Sequence, residues 1–297
     1  MSLMNKELVA NWLLRGGSSA YWISAFRRFR KNKGALVGLA VVTVIFVSCS
    51  LAPLIAPYDP LLMDPESNLQ SPRVGHLFGT DRFGRDVFSR TLFGGWKTLK
   101  AALLAVGVAA LLGIIPGLIA GFYGIWLDSV ISRLVDILLA FPGILLALTI
   151  IAILGPGINN AMIAVGISLT PSYVRLVRSE VMSLKERTFV EAARALGASQ
   201  ARIIGKHILR NLMETIIVLS TVELGWAIVI GASLNFLGMG VQPPTPEWGA
   251  DLALGRDFLK IGWWISIFPG LGIMLTILSF NLIGDGLRDA LDPKLRR

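Results

Sequence analysis

The chain has 297 residues, 54% of them hydrophobic and 16% charged, with a net charge of +9 and a mean hydropathy of +0.67. A soluble domain carries about 25% charged and roughly 45–50% apolar residues, whereas here the apolar excess falls in runs of about 20, enough to cross the ~30 Å hydrocarbon layer as helices. An ordinary cytosolic enzyme, a disulfide-rich secreted module and a disordered chain are thereby excluded, and the single Cys49 with only His76 and His207 leaves neither a disulfide framework nor a His-based metal cage.

The first 34 residues hold Lys6, Arg15, Arg27, Arg28, Arg30, Lys31 and Lys33 against one acid, Glu7. Within them, Tyr21, Trp22, Ile23, Phe26 and Phe29 recur at helical spacing with arginines between. That pattern predicts an amphipathic helix in the membrane interface, the alternative being a basic flank of no fixed structure. Six spans follow at about 35–57, 98–122, 130–154, 159–179, 212–237 and 263–284. The first is too long for a signal-peptide core and no small-residue cleavage site follows it, so it is expected to be retained.

The loop between spans four and five contains Lys185, Arg187, Arg194, Arg202, Lys206 and Arg210, and the tail has Arg288, Lys294, Arg296 and Arg297. The loops at 58–96 and 238–262 are mixed instead, with Arg73, Arg82, Arg85, Arg90, Arg256 and Lys260 against eight acids. Lys/Arg asymmetry then predicts both termini on the cytoplasmic side. The same clustering at span ends, with no single basic surface, argues against nucleic acid as a partner.

Several residues inside or beside the spans invite a role. Gly113, Gly117 and Gly121 repeat every four residues and permit close helix approach, within the chain or across a dimer. Asp136 is expected to pair with a nearby cation or a backbone group freed by Pro142. Glu223, near the middle of span five, and Asn235, toward its end, are candidate pathway residues; Glu223 is alternatively protonated or paired inside the bundle. In the loop at 58–97, Asp81, Arg85 and Asp86 are candidate contacts for an external protein, or else the ion pairs of a self-held loop with Arg82 and Arg90. Trp248, Trp263 and Trp264 suit an interfacial belt. Asp285 and Arg288, at i and i+3, are spaced to pair on a short helix that Asp292 and Pro293 end.

The most informative stretch is 181–210. Phe189, Val190, Ala193 and Leu196 fall at helical spacing, Gly197 suits a left-handed helix end, and Ser199 suits the N-cap of a second helix. Glu191, Ala192 and Ala193, then Gly197, then His207, Ile208 and Leu209 resemble the EAA signature of ABC-importer permeases. His207 and Arg210 depart from the usual Ile and Pro, and the missing Pro predicts a less sharply broken second helix. The segments 78–90, 242–249 and 284–294, and the N-terminal region through Pro60, resemble the second permease subunit of the dipeptide/oligopeptide/nickel branch, closest to its dipeptide and glutathione types.

The resemblance implies an all-α fold: a polytopic membrane helical bundle of six transmembrane helices, of the type I ABC-importer permease kind, with an N-terminal interfacial helix. It divides the chain into a basic segment at 1–34, a first span at 35–57, a loop at 58–97, a permease core at 98–285 and a tail at 286–297. It implies a prokaryotic inner-membrane permease for di- or oligopeptides, or for glutathione, nickel chelates or oligosaccharides. The implied partners are a homologous permease, two ATP-binding subunits, an extracytoplasmic substrate-binding protein and membrane lipid. The coupling residues carried over are Glu191, Ala192, Ala193, Gly197, Ile208 and Leu209. The chain has no G-x-x-x-x-G-K-[ST] loop and no catalytic constellation, so no catalytic residue and no cofactor are expected here, and ATP and Mg are expected on the partner subunits. A passive channel or ion-coupled carrier is the rival class; it leaves the 181–210 loop unexplained.

Overall fold

The computed structural model describes residues 17–291, with side chains from residue 23 onward. Lys6, Glu7, Arg15, the tail residues from Asp292 to Arg297, and the Tyr21 and Trp22 side chains lie outside that description.

The described elements are helical. In α1 (Gly17–Phe29), Phe29 packs with Ala35 and Ala290, and Ala25 one turn earlier is also buried, while Ile23 and Phe26 stand outward. Asn32 caps α2 (Lys33–Ser50): its Oδ1 accepts from Ala35 N at 3.1 Å, satisfying an otherwise orphaned donor. α3 (Val87–Tyr123) starts well before the apolar run at 98–122, because Asp86 caps it through the Ser89 N–H at 2.7 Å. Its first turns carry Arg90, Thr91 and Lys97 and read as loop in the sequence; burial under neighbouring segments makes them helix.

The span expected at 130–154 is two helices. α4 (Ile125–Leu139) and α5 (Gly143–Leu154) bend by 92° between them. Pro142 has no N–H to give and disfavours helical backbone at Phe141, which accounts for the break. α6 (Ile158–Lys185) leads into the short α7 (Thr188–Ala195). α8 then runs Gln200–Phe236 with a π-helical turn at Ile203–Ile208, so the chain passes Arg210 without a break. α9 (Trp248–Gly255) and α10 (Trp264–Leu291) complete the bundle. α10 continues through the region expected to form a separate short helix, and Asp285 and Arg288 form no ion pair among the described residues. Asp289 instead meets Asn32 Nδ2 at 3.3 Å.

Four of the described helices (α2, α3, α8 and α10) are long and apolar enough to cross a membrane, and the bent pair makes a fifth. α6 is long enough, but its Asn159, Asn160, Arg175, Arg178, Glu180 and Lys185 make it too polar to count by composition.

The glycine stripe is the seam between α3 and α6. A Cβ on Gly117 would lie 2.8 Å from Val177 Cβ, and one on Gly121 would lie 2.6 Å from Val181 Cβ. The stripe therefore serves packing within the chain, where small residues let backbones approach. Gly117→Ile overpacks that seam and is expected to destabilise the fold by roughly 1–3 kcal/mol. The check is the thermal midpoint of the detergent-purified protein; an unchanged midpoint refutes the seam.

Candidate functional site

At one end of the bundle α7 forms an elbow between α6 and α8. Val190 is fully buried and Ala193 nearly so, joining Ile203 and Ile208 in the main core. Arg194 lies over the Phe122 ring at 5.9 Å, and Lys185 Nζ donates to Gly121 O at 3.0 Å, tying the elbow to the end of α3. Gly197 takes φ +78°; its N–H donates to Arg194 O at 2.9 Å and that of Ala198 to Ala193 O at 3.0 Å, a Schellman ending. Ser199 Oγ then accepts from Arg202 N at 3.4 Å and starts α8.

This construction sorts the six coupling residues. Ala193 and Ile208 face inward and Leu209 is half-buried, whereas Glu191, Ala192 and Gly197 face outward. Leu196, read from spacing as part of the packed stripe, is 87% exposed, because the chain turns away at Gly197. The result is a helix held rigidly from behind that presents a carboxylate beside small and apolar groups.

Toward the middle of α8, Glu223 is buried and its Oε2 has no hydrogen-bond partner among the described residues. The Ser172 hydroxyl is a polar neighbour, and Tyr173 OH donates to Ser220 Oγ at 2.9 Å close by. Asn235 is also buried, and its Oδ1 accepts from Val241 N at 2.6 Å, so its amide is spent on the turn after α8. Asp136 pairs with Arg175 at 2.9 Å across α4 and α6, with both side chains about 60% exposed. Asp128 pairs with Arg178 on the same two helices.

At the opposite end the segment 56–86 is held by buried polar groups. Asp81 Oδ1 accepts from Phe83 N and Arg85 N at 2.8 and 3.0 Å, and its Oδ2 receives Arg85 Nε at 2.6 Å. Gly84, at φ +72°, sits so close to Asp64 O that no Cβ fits. Asp86 meets His76 Nδ1 at 2.9 Å as well as capping α3. Asp81, Arg85 and Asp86 are all buried, so of the two readings open in the sequence the self-held loop describes them, and only their neighbour Arg82 points outward.

Sequence reasoning undervalued Arg90, Glu247 and Asp251. Arg90 is buried, pairs with Asp251 on α9 (Nε to Oδ1, 3.1 Å), and donates to Pro60 O and Pro244 O at 3.0 and 3.2 Å. It fastens three segments remote in sequence. The only signal was an arginine and acids inside a hydrophobic chain, which composition cannot pair. Trp248 and Trp264, expected in an interfacial belt, are core residues: their indole N–H groups donate to Thr91 O at 2.8 Å and Thr80 O at 2.9 Å. Trp263 alone of the three is exposed.

Glu247 caps α9 through Ala250 N at 2.9 Å and meets Thr98 Oγ1 at 2.7 Å. Full burial pushes its carboxyl up to about 7, against the pull of those hydrogen bonds. A protonated Glu247 also suits Thr98, whose single hydroxyl proton can then go to Gly94 O at 3.1 Å. The folded state thus prefers the protonated form. That stabilisation is present below the ordinary carboxyl value of 4.5 and is lost as pH rises toward about 7. Glu247→Gln, which keeps both an acceptor and a donor, is expected to flatten this part of the dependence, read as thermal midpoint against pH between 5 and 8. Identical slopes in both proteins refute the assignment.

Among the described residues no group of three or more His, Cys, Asp or Glu is placed to hold a metal ion. Residues 20–72 match the N-terminal transmembrane domain of oligopeptide transport permease C. Residues 113–297 match the binding-protein-dependent transport system inner membrane component family. The chain is 49% identical to a dipeptide transport system permease of Alkalihalophilus pseudofirmus, over 93% of this chain and 90% of that one. It is 46% identical to a glutathione transport system permease of Escherichia coli, over 93% and 91%. Among solved structures, an inward-facing MetNI methionine ABC transporter shares the fold, with a TM-score of 0.55 and 20% identity over 67% of this chain and 94% of that one. With its apolar helices, its elbow and these matches, the chain belongs to the binding-protein-dependent transport system inner membrane component family and is a multi-pass permease subunit of an ABC importer.

Proposed function

We propose that this permease carries di- or oligopeptides across a prokaryotic inner membrane, paired with a homologous permease. Two ATP-binding subunits, which carry the ATP and Mg, drive the pair, and an extracytoplasmic protein delivers the substrate. This chain contributes a path and a lever, not the hydrolysis. The observation that carries the reading is the elbow: α7 exposes Glu191, Ala192 and Leu196 while Val190 and Ala193 lock it to the core that contains α6 and α8. A push on α7 is therefore delivered to both helices at once.

The orientation we propose places α7 and both termini on the cytoplasmic side. The support is the Lys/Arg excess there and the grouping of α1, the end of α3, α7 and the end of α10 at one end of the bundle. The exposed Asp136–Arg175 pair favours turning that face of α4 and α6 toward the second permease and the aqueous path, since charges facing hydrocarbon are costly. Glu223, buried in α8 with one carboxylate oxygen unpaired among the described residues, becomes the partner of a peptide ammonium group when the helices around it part during transport. The dipeptide-permease relative supports peptide cargo; glutathione, itself a small peptide, is the second reading, supported by the glutathione-permease relative.

Mild-detergent purification of the tagged chain from its native membrane, with mass spectrometry of what co-purifies, tests the assembly. Two ATP-binding subunits and a second permease are the expected result. Stable recovery of the chain alone overturns it.

A further inference from the structure

Two cavities meet at Phe236 and Arg256, at the α9 end of the bundle. One, of about 290 Å³, lies between the end of α8, the 238–245 loop and α9, and its charged wall is Arg82, Arg85, Arg90, Arg256 and Asp257. The other, of about 450 Å³, runs along α10 past Ile267, Gly270, Leu271 and Met274, with Arg256 at its lip. We propose that together they hold one anionic membrane phospholipid, its phosphate on Arg256 and Arg82 and an acyl chain in the α10 groove.

Charge decides the head. Arg85 and Arg90 are neutralised from behind by Asp81 and Asp251, so they shape the cavity without attracting an anion. Among the described residues, Arg82 lies over the Phe83 ring with no carboxylate partner, and the one carboxylate at Arg256 is the exposed Asp257 at 3.4 Å. Four arginines thus face three carboxylates, one positive charge in excess, which a phosphodiester balances. Guanidinium groups also suit it by geometry, since they grip phosphate oxygens in pairs.

Shape and polarity decide the tail. Ile267, Leu271 and Met274 are exposed along one edge of α10. From Ser266 to Met274 the helix rises on the order of 12 Å, a large part of one acyl chain. Neither cavity alone asks for an amphiphile; a cationic lip opening onto an apolar groove between α9 and the spanning helix α10 does. A soluble anion, such as a substrate carboxylate, fills only the first cavity and leaves the groove without purpose.

The test uses the intact, delipidated transporter, titrated with dioleoyl phosphatidylglycerol, dioleoyl phosphatidylcholine and glycerol 3-phosphate, with bound species read by native mass spectrometry. Phosphatidylglycerol is expected to be retained about fivefold better than phosphatidylcholine, the ratio corresponding to roughly 1 kcal/mol for one surface cation. Arg256→Gln removes that preference and Arg256→Lys keeps most of it. Gly270→Leu fills the groove, where a Cβ meets only Leu252 at 3.5 Å, and lowers retention of both lipids. If that variant fails to fold, Leu271→Trp fills the groove from its exposed edge. Equal retention of the two lipids by the unaltered protein overturns the proposal, as does a preference that survives Arg256→Gln. Glycerol 3-phosphate displacing phosphatidylglycerol at equal concentration also overturns it, and assigns the first cavity to a soluble anion.

Discussion

Glu191→Lys is expected to abolish peptide uptake while leaving the chain at its normal level in the membrane. Glu191 is exposed and no ion pair or hydrogen bond holds its side chain among the described residues, so the fold does not depend on its charge. The internal penalty is confined to a cation near the start of α7, about 0.3–1 kcal/mol against the helix dipole. At a docked interface the same change removes a charge partner and adds repulsion, worth roughly 2–5 kcal/mol, or at least about thirtyfold in coupled transport. Glu191→Gln, which removes charge without reversing it, should fall between. Uptake of a labelled dipeptide, with ATPase activity and membrane content measured together, distinguishes the outcomes. Undiminished uptake by Glu191→Lys removes α7 from the coupling mechanism.

Arg90→Ala carries the largest structural effect expected outside the helix seams. It strands Asp251 in a fully buried site and leaves the Pro60 and Pro244 carbonyls without their donor. Breaking a buried ion pair from one side costs about 3–5 kcal/mol, most of it the penalty of the abandoned charge. Burial already lifts the Asp251 carboxyl above its usual range despite Arg90 beside it, so without Arg90 it should be taken up as the neutral acid. Arg90→Met with Asp251→Leu removes both charges and should regain much of the loss, because an apolar pair of similar volume is often neutral or better. Thermal midpoints of the two single variants and the double variant give the coupling energy. Limited proteolysis of the 56–86 segment reports whether it has come loose. A single variant within about 1 kcal/mol of the parent would show that the clamp does not hold these segments together.

The seam and the clamp differ in how legible they were. Gly113, Gly117 and Gly121 announced a close approach by spacing alone, but only coordinates named Val177 and Val181 as what they approach. Gly197 and Ser199 announced a helix end and a helix start, and those signals are local: a positive φ and a side-chain cap need no distant partner. The break at Pro142 was marked by its proline, yet hydropathy runs through it undisturbed, so one span was expected where two helices stand at 92°. Trp248 and Trp264 were misplaced because an indole suits a membrane interface and a packed core equally well; the carbonyls of Thr91 and Thr80 decided between them.

The sequence by itself determined that the chain carries apolar helices long enough to cross a membrane, that it belongs with importer permeases, and that a helix–Gly–helix elbow lies in 181–210. Each of these is written in near neighbours along the chain: an apolar run, a cap, a glycine, a motif of fixed spacing. The tertiary structure alone decided which side of that elbow faces outward, that Asp81, Arg85 and Asp86 are spent inside the protein, and that Arg90 joins Pro60, Pro244 and Asp251. The reason is physical. A charge, an indole or a glycine has the same local propensity whether its partner lies four residues away or 161, the separation of Arg90 and Asp251, and burial, which sets its energy, exists only once the helices have packed.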